Sequence, residues 1–509
     1  MVYNLPHHIK QLITHGYNHI LQTQKLPKQW NEFYAIPILK QKESGHNAHH
    51  YRPIMLGNTF RKIFEKIIAN RISYHMERFG IWPKNQYGFR RGYSTTQCLL
   101  HLYTELYTNK LQDKYTVTNF LDITKAYDSV IPEILFTQLE KLNFPPQYIN
   151  IIKALTLDRK VKIHPHFGLT LTRHTSTGLT QGSALSPILF NIYLRDVNNL
   201  NLCRSQILTY ADDIAVITRI TPQEYKTWTP EIQDDINTIT KKLFRLGLEI
   251  NPIKCNSIIF KPGRAKRQIT AKINNSPIIS KTNTKYLGLY FDHNLTWKTQ
   301  AQHIYNKISS TLTFFKYISN KKWGFHTKHL HILYKSLIQT HIDYGAIIID
   351  RHPQIETKKL QSKLYQISKL ILGIRGNPAK TAVATEMKIR PYTDRQKYAI
   401  FNTMKILMIH QESPLFNKIK YSVEISKKRI TEPNTRPQYH KIFEKILAHT
   451  NIQTFLRPPI YCTDYANIIH LPTCDTTSFN KTDVQNHAKF QEWIHEYQEI
   501  YRDKLFPIY

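Results

Sequence analysis

Two adjacent carboxylates, Asp212 and Asp213, stand inside the apolar, β-branched run ILTYADDIAVIT. Side by side they repel, and burying either one unpaired costs free energy or shifts its acidity. A tight hairpin turn would account for them, since Asp is common in turns. A divalent cation would account for them chemically, because it reverses the local charge logic and makes paired carboxylates favourable. Such a site needs further oxygen ligands, and the best donor comes earlier, in TVTNFLDITKAYDSV, where a β-type run ends in Asp122. A strand ending in Asp122 beside a strand carrying Asp212 and Asp213 would gather three acids on one sheet edge. Hard cations such as Mg²⁺ take oxygen ligands of this kind and usually keep substrate phosphates in their shell. Two of them serve phosphoryl transfer. Asp128 lies further on, in a helical start, and reads as a structural or capping group.

Between the two acidic runs lies GLTQGSALSPILFNIYL. The chain has only 16 glycines, and Gly178 and Gly182 bracket Gln181 here. Glycine permits backbone conformations and close approaches that other residues forbid. Ser186–Pro187 then marks a helix start. A glycine loop before a helix, ordered between Asp122 and the Asp212 turn, points to nucleotide contact. A second acidic pair, Asp234–Asp235, falls in PEIQDDINTITKKLFRLGLEI, on the side opposite the apolar face of Ile232, Ile236, Ile239, Leu243 and Leu246. Solvated charge is the expectation there.

The elements that must position these groups follow from periodicity. Segment 1–115 mixes short strands with amphipathic helices, among them NTFRKIFEKIIANRI with a stripe of Phe60, Ile63, Phe64, Ile67 and Ile68. Segment 116–290 alternates β-branched runs with helices. From about 291 to 375 the pattern is helical. AQHIYNKISSTLTFFKYI places Ile304, Ile308, Leu312, Phe315 and Ile318 on one face, and ETKKLQSKLYQISKLILG does so with Leu360, Leu364, Ile367 and Ile371. Lys358, Lys359, Lys363 and Lys369 stand off that second face as a basic ridge, a solvated surface or one that meets phosphates. Residues 386–509 read as a helical appendage with Pro-rich connections near 432–437 and 457–475.

Composition bounds the function. At 509 residues, 41% hydrophobic and 12% aromatic, the chain can bury large cores. Lys and Arg number 70 against 36 Asp and Glu, a net charge of +34. So large an excess is costly in self-repulsion unless the protein works against a polyanion. Nucleic acid is the leading candidate, with an anionic membrane surface second. Five scattered cysteines form no CxxC pair, which speaks against a zinc knuckle or a disulfide framework and fits a reducing compartment. No window has the length and apolarity of a membrane span. The reading is an intracellular protein of the cytoplasm and nucleus.

In order, FLDITKAYDSV, GLTQGSALSP and YADD resemble motifs A, B and C of reverse transcriptases. IPILKQKES with YRPIMLGNTFRKIFEKIIANRI looks like the fingers segment of non-LTR retrotransposon polymerases, especially jockey-like elements, and QYGFRRGYSTTQCL is similar to the block after it. LGLEINPIKCNSIIF resembles motif D, and KYLGLYFDHNLTW the primer-grip hairpin. The likeness covers about 20–385. It implies an α+β right-hand polymerase: a lead-in at 1–19, fingers at 20–115, a palm with an antiparallel sheet packed on helices at 116–290, a helical thumb at 291–385, and an extension of unknown role at 386–509.

The resemblance also implies roles. Asp122 and Asp212 would be the main ligands of two Mg²⁺ (or Mn²⁺) ions, with Asp213 completing the acidic site. Tyr127 takes the place of the ring that excludes a ribose 2′-hydroxyl. Gln181 and Gly182 would line the incoming nucleotide and the template base. Arg52 would approach the triphosphate, unless it serves a loop salt bridge. Lys254 would be a general acid for pyrophosphate, unless it is simply an exposed turn lysine. Tyr286 and Gly288, with the Lys358–Lys369 ridge, would hold nucleic acid. The implied partners are an RNA template, a DNA primer and deoxynucleoside triphosphates. Jockey-like proteins usually carry an endonuclease domain before the polymerase, so that activity is expected from another chain or a longer product. The rival readings are a decayed or domesticated nucleic-acid-binding remnant, an RNA-dependent RNA polymerase and an intron maturase.

Overall fold

The computed structural model describes residues 4–40, 47, 50–163, 170–224, 229–260, 271–320, 323–349, 354–430 and 436–449. Its centre is a five-stranded sheet. The strands, in spatial order, are Ile279–Lys281, Asn256–Phe260, Tyr115–Leu121, Asp213–Ile220 and Ser205–Tyr210. Tyr115–Leu121 pairs antiparallel with both of its neighbours. Because side chains alternate along a strand, all of these strands but the edge strand Ile279–Lys281 feed two cores. Val117, Leu121, Ile214, Val216 and Ile259 enter one cluster; Phe120, Ala215, Ile217, Ile258 and Phe260 enter another. Burial on both faces explains why these strands read as continuous apolar runs.

The first face is covered by helices Thr59–Arg78, Pro132–Lys141, Pro146–Thr156, Ser186–Tyr193 and Thr229–Arg245. On Thr59–Arg78 the fully buried positions are Phe64, Ile68, Ile72 and Met76, while Phe60 is exposed. Ile63 and Ile67 also pack against this core, so the expected face holds except for Phe60 and runs one turn further, to Ile72 and Met76. The second face is covered by helix Thr95–Leu111 and by Tyr392–Ile409, Pro414–Arg429 and Gln438–His449. The C-terminal segment is helical as expected, and these three helices complete a core instead of standing off one. Glu105 of Thr95–Leu111 ties them in, pairing with Lys418 and, at 2.7 Å, with Arg219. Those two cations hold its carboxyl down at about 2 against the opposing effect of burial. Cys462, Cys474 and the stretch 457–475 lie outside the described residues.

A four-stranded sheet, in the order Tyr51–Leu56, Glu32–Leu39, Arg159–Ile163, Leu171–Thr175, forms a separate layer. Beyond the hairpin of Asn283–Tyr286 and Leu289–Asp292, helices Lys298–Ile318, Thr327–Tyr334 and Gln354–Leu372 build a third core. Ile304, Ile308, Leu312, Phe315 and Ile318 are all buried in it, as their spacing predicts. No described helix is long and apolar enough to cross a membrane.

The pair Asp234–Asp235 corrects one expectation. Asp234 is exposed, but Asp235 is buried. Its carboxylate accepts three backbone N–H bonds, from Cys203 at 2.7 Å, Arg204 at 3.1 Å and Ser205 at 2.9 Å. It is a fully partnered group that fixes the start of strand Ser205–Tyr210, and not a solvated one.

Candidate active site

Asp122 follows directly on strand Tyr115–Leu121, and Asp213 opens strand Asp213–Ile220. The two strands pair antiparallel with Leu121 opposite Ile214, so one step along the same register sets Asp122 opposite Asp213. Asp212 sits in the intervening turn after Ala211, which adopts a left-handed conformation at φ 56°. The three acids therefore meet at one sheet edge because of pairing register, across a large sequence separation.

Their electrostatics follow from this crowding. Asp213 is exposed at its rim yet walled by protein, and its carboxyl is pushed up to about 6 by desolvation, then by Asp212 and Asp122. Asp212 is raised for the same main reason, with Asp122 adding to the rise and Arg52 opposing it. A hydrogen bond from its own backbone relieves Asp212 only in part, short of the three donors that Asp235 has. Among the described residues, no three or more His, Cys, Asp or Glu are gathered tightly enough to hold an ion by themselves. An open, strained set of carboxylates fits Mg²⁺, which is commonly held by one or two carboxylates together with substrate phosphates.

The turn carrying Asp212 is pinned from behind by a residue that the sequence did not single out. Gln86 is fully buried, and its Oε1 accepts from Ala211 N at 3.0 Å and from Gly88 N at 2.8 Å. Residues 85–87 pair with the strand beside the turn, Tyr87 N donating to Thr209 O at 2.9 Å and Thr209 N to Asn85 O at 3.0 Å. A side chain at position 88 would meet Ala211 N at 2.4 Å, so only glycine fits against the turn. The signal was present in QYGF, but nothing local says which strand it would line.

The glycine loop is locked just as fully. Gly178 N and Leu179 N donate to Val130 O and Tyr127 O, and Met55 N donates to Gln181 O at 2.8 Å. Gly178, at φ 72°, leaves no room for a side chain against the Asp128 backbone. The Gln181 side chain donates to Asp128 Oδ1 at 3.1 Å, which gives Asp128 its structural part. Buried Arg159 donates to Thr180 Oγ1 and Gly178 O, at 2.8 and 2.9 Å. At the far end Glu65, held by Arg61 at 2.7 Å, accepts from Ser183 Oγ at 2.7 Å. Gly182 lies against Met55, on strand Tyr51–Leu56, which also carries exposed Arg52. Arg52 is close enough to favour the charged form of Asp212.

Tyr127 lies between these parts. Its ring stacks on Phe190, with centroids 4.9 Å apart and planes 15° from parallel, and burial followed by the Asp212 charge pushes its hydroxyl pKa well up. Lys254 reaches the site because its turn is docked on Asp122: Asn251 N donates to Asp122 O at 2.8 Å, and Asp122 N to Cys255 Sγ at 3.4 Å. That brings Lys254 Nζ within 3.7 Å of Asp122 Oδ2, with the lysine still largely exposed.

The expected nucleic-acid contacts are distributed differently. The Tyr286 ring is buried, 4.8 Å from Phe120 and beside Cys98 Sγ, so it cannot face a ligand. Gly288, at φ 87°, forms the hairpin turn and leaves only backbone to offer. Lys358 and Lys359 are exposed and Lys363 is half-buried. Lys369 is engaged internally, donating to Gly376 O at 2.7 Å and Asn377 Oδ1 at 3.1 Å, which takes it out of the ridge.

Residues 38–291 match the family described as reverse transcriptase (RNA-dependent DNA polymerase). The chain is similar to the probable RNA-directed DNA polymerase from transposon X-element of Drosophila melanogaster, 26% identical over 77% of this chain and 43% of that protein. It is also similar to the RNA-directed DNA polymerase from mobile element jockey of Drosophila funebris, 31% identical over 56% of this chain and 32% of that one. The chain thus spans less than half the length of these relatives. Among solved structures, telomerase from Candida tropicalis with a fragment of telomeric RNA is 11% identical, covering 85% of this chain and 67% of its own, with a TM-score of 0.40.

Proposed function

We propose that this chain, which carries a reverse transcriptase domain of the jockey-like, non-LTR kind in a right-hand polymerase fold, extends a primer 3′-hydroxyl with deoxynucleotides on an RNA template. The observation that supports this best is the meeting of Asp122, Asp212 and Asp213 at one sheet edge, crowded enough that Asp212 and Asp213 are both raised. Two Mg²⁺ or Mn²⁺ ions bound there would activate the attacking oxygen and steady the leaving one.

The chain's own residues do the rest. Asp122 and Asp212 would hold the cations, and Asp213 would complete the negative charge facing them. The primer oxygen forms a bond to the α-phosphorus as the bond to the bridging oxygen breaks, and pyrophosphate departs. Lys254 supplies a proton to it, and Arg52 steadies the triphosphate. Gln181 and Gly182 line the incoming nucleotide and template base, in a loop that Asp128, Arg159 and Glu65 keep from moving. Tyr127, braced on Phe190, closes the space that a 2′-hydroxyl needs. The field of +34 holds the template–primer duplex by its backbone, with Lys358, Lys359, Lys363 and the turn at Gly288 among the contacts. We assign fingers to 20–115, palm to 116–290, thumb to 291–385 and a core-completing extension to the helices after 386. Work inside the cell, in cytoplasm and nucleus, suits this activity, with target cleavage left to an endonuclease on another chain or product.

Primer extension on an RNA template with Mg²⁺ and deoxynucleotides tests the reading. Template-dependent DNA synthesis that Asp212→Asn abolishes is the expected result. No synthesis, or synthesis from ribonucleotides alone, overturns it.

A further inference from the structure

Residues 293–342 contain seven lysines, six histidines and no Asp or Glu. Helix Lys298–Ile318 is the longest element of this stretch. Its 21 residues carry it about 30 Å away from the hairpin where it begins. At its far end, and in the turn leading to helix Thr327–Tyr334, four large aromatic side chains are exposed: Phe314, Tyr317, Trp323 and Phe325, at 44, 68, 55 and 56%. Tyr317 and Trp323 meet edge to face, with centroids 4.7 Å apart, which leaves ring faces open to solvent. Lys316, His326, Lys328 and His329 are exposed around them. The buried side of the helix is already satisfied by Ile308, Leu312, Phe315 and Ile318. These rings are therefore surplus to the core.

Exposed aromatic faces interleaved with cations suit one partner chemistry above others. Protein interfaces are depleted of lysine at their cores, and a duplex hides its base faces in the stack. Unpaired bases offer π-faces and a phosphate to each residue of strand, which is what rings and lysines together bind. We propose that this helix tip is a stacking platform for single-stranded RNA. It holds a strand at a distance from the acids and independently of the chemistry there, so it does not rest on the polymerase reading.

The test measures the affinity of the whole chain for a 20-nucleotide oligouridylate, with unlabelled RNA–DNA hybrid in excess, and separately the affinity for the hybrid. The double variant Tyr317→Ala, Trp323→Ala should lose about tenfold or more in oligouridylate affinity. Its hybrid affinity should change less than twofold. Because both residues are exposed, folding is preserved, and an unchanged melting temperature checks it. Unchanged oligouridylate binding, or an equal loss for strand and hybrid, overturns the proposal. So does a wild-type dimer that the double variant disperses, which would make the rings a protein contact. Failure of the hybrid to bind the wild type would count against the polymerase reading and leave the platform standing.

Discussion

The chain holds two Asp–Asp pairs within a short span, and they differ in almost everything but composition. In Asp234–Asp235 one acid faces water and the other buries itself under three backbone N–H donors. In Asp212–Asp213 desolvation raises both groups, and a third acid, Asp122, adds to the repulsion. A carboxylate satisfied by the backbone does structural work, because its charge is already matched. Carboxylates left mutually repulsive at a pinned turn are strained for the sake of something that binds there. The difference separates fold from function more sharply than burial does.

Neutralising each pair should therefore have opposite consequences, and this is the largest effect expected. Asp212→Asn should lower the extension rate by several orders of magnitude, since the site loses the charge that would hold a cation against Asp122. Its melting temperature should hold or rise, and template–primer affinity should persist. Asp235→Ala should do the reverse. It strands three half-buried N–H donors, at a cost of about 1–3 kcal/mol, and leaves the rate per folded molecule nearly intact. An active Asp212→Asn enzyme, or an Asp235→Ala variant that folds as well as wild type, would erase the distinction.

A smaller effect is expected at the nucleotide. Tyr127→Val keeps an apolar contact with Phe190 but removes the ring, so ribonucleotides should enter while deoxynucleotide addition stays measurable. Unchanged discrimination in single-nucleotide extension would take Tyr127 out of the gate and revive an RNA-polymerase reading. Next comes the brace behind the turn. Gln86→Leu fills similar volume yet leaves both the Ala211 and the Gly88 N–H unpaired, and extension should fall about tenfold or more, since each buried hydrogen bond lost costs on the order of 1 kcal/mol. The loss should lie in kcat and in the Mg²⁺ concentration needed, with nucleotide KM little changed. A merely destabilised fold would lower the active fraction without moving the Mg²⁺ dependence.

These variants also show what was legible in the sequence. Motifs carried by contiguous residues were readable: the strand end at Asp122, the glycine loop and the YADD turn, as were the helical faces of Ile304–Ile318 and Ile232–Leu246. What was not readable depends on register between distant segments. Gln86 matters only because residues 85–87 line up with Thr209, and Asp235 only because its helix ends up beside residues 203–205. The resemblance implied that Tyr286 holds nucleic acid, but its strand turns that ring toward Phe120 and Cys98. Lys369 joined the ridge by periodicity and left it for the carbonyl of Gly376. The core role of residues 392–449 was hidden because their partners, around Thr95–Leu111, lie so far back along the chain.

The smallest expected effect is also the most direct reading of the strain. Asp213 has a folded-state pKa raised to about 6, above its unfolded value near 3.8. A raised carboxyl contributes stability that is fully present below the unfolded value and is lost as pH rises through the folded one. Glu105 has the opposite sign: lowered to about 2 by Lys418 and Arg219, it contributes stability that is present above its unfolded value and lost only in strong acid. Between about pH 4.5 and 6.5 the Glu105 contribution is therefore nearly constant, but His101 and His440, kept neutral by burial, add stability as pH rises. The acid site is read from the difference between wild type and Asp213→Asn, both kept metal-free with a chelator, because the histidines are common to both. Asp213→Asn, which cannot titrate, should gain on wild type across that window, by about 2 °C, whereas the difference between Glu105→Gln and wild type should stay constant. Adding Mg²⁺ should favour ionised carboxylates and shrink the Asp213→Asn gain. A difference that stays flat or falls with pH would mean that the pair is relieved by contacts like those of Asp235.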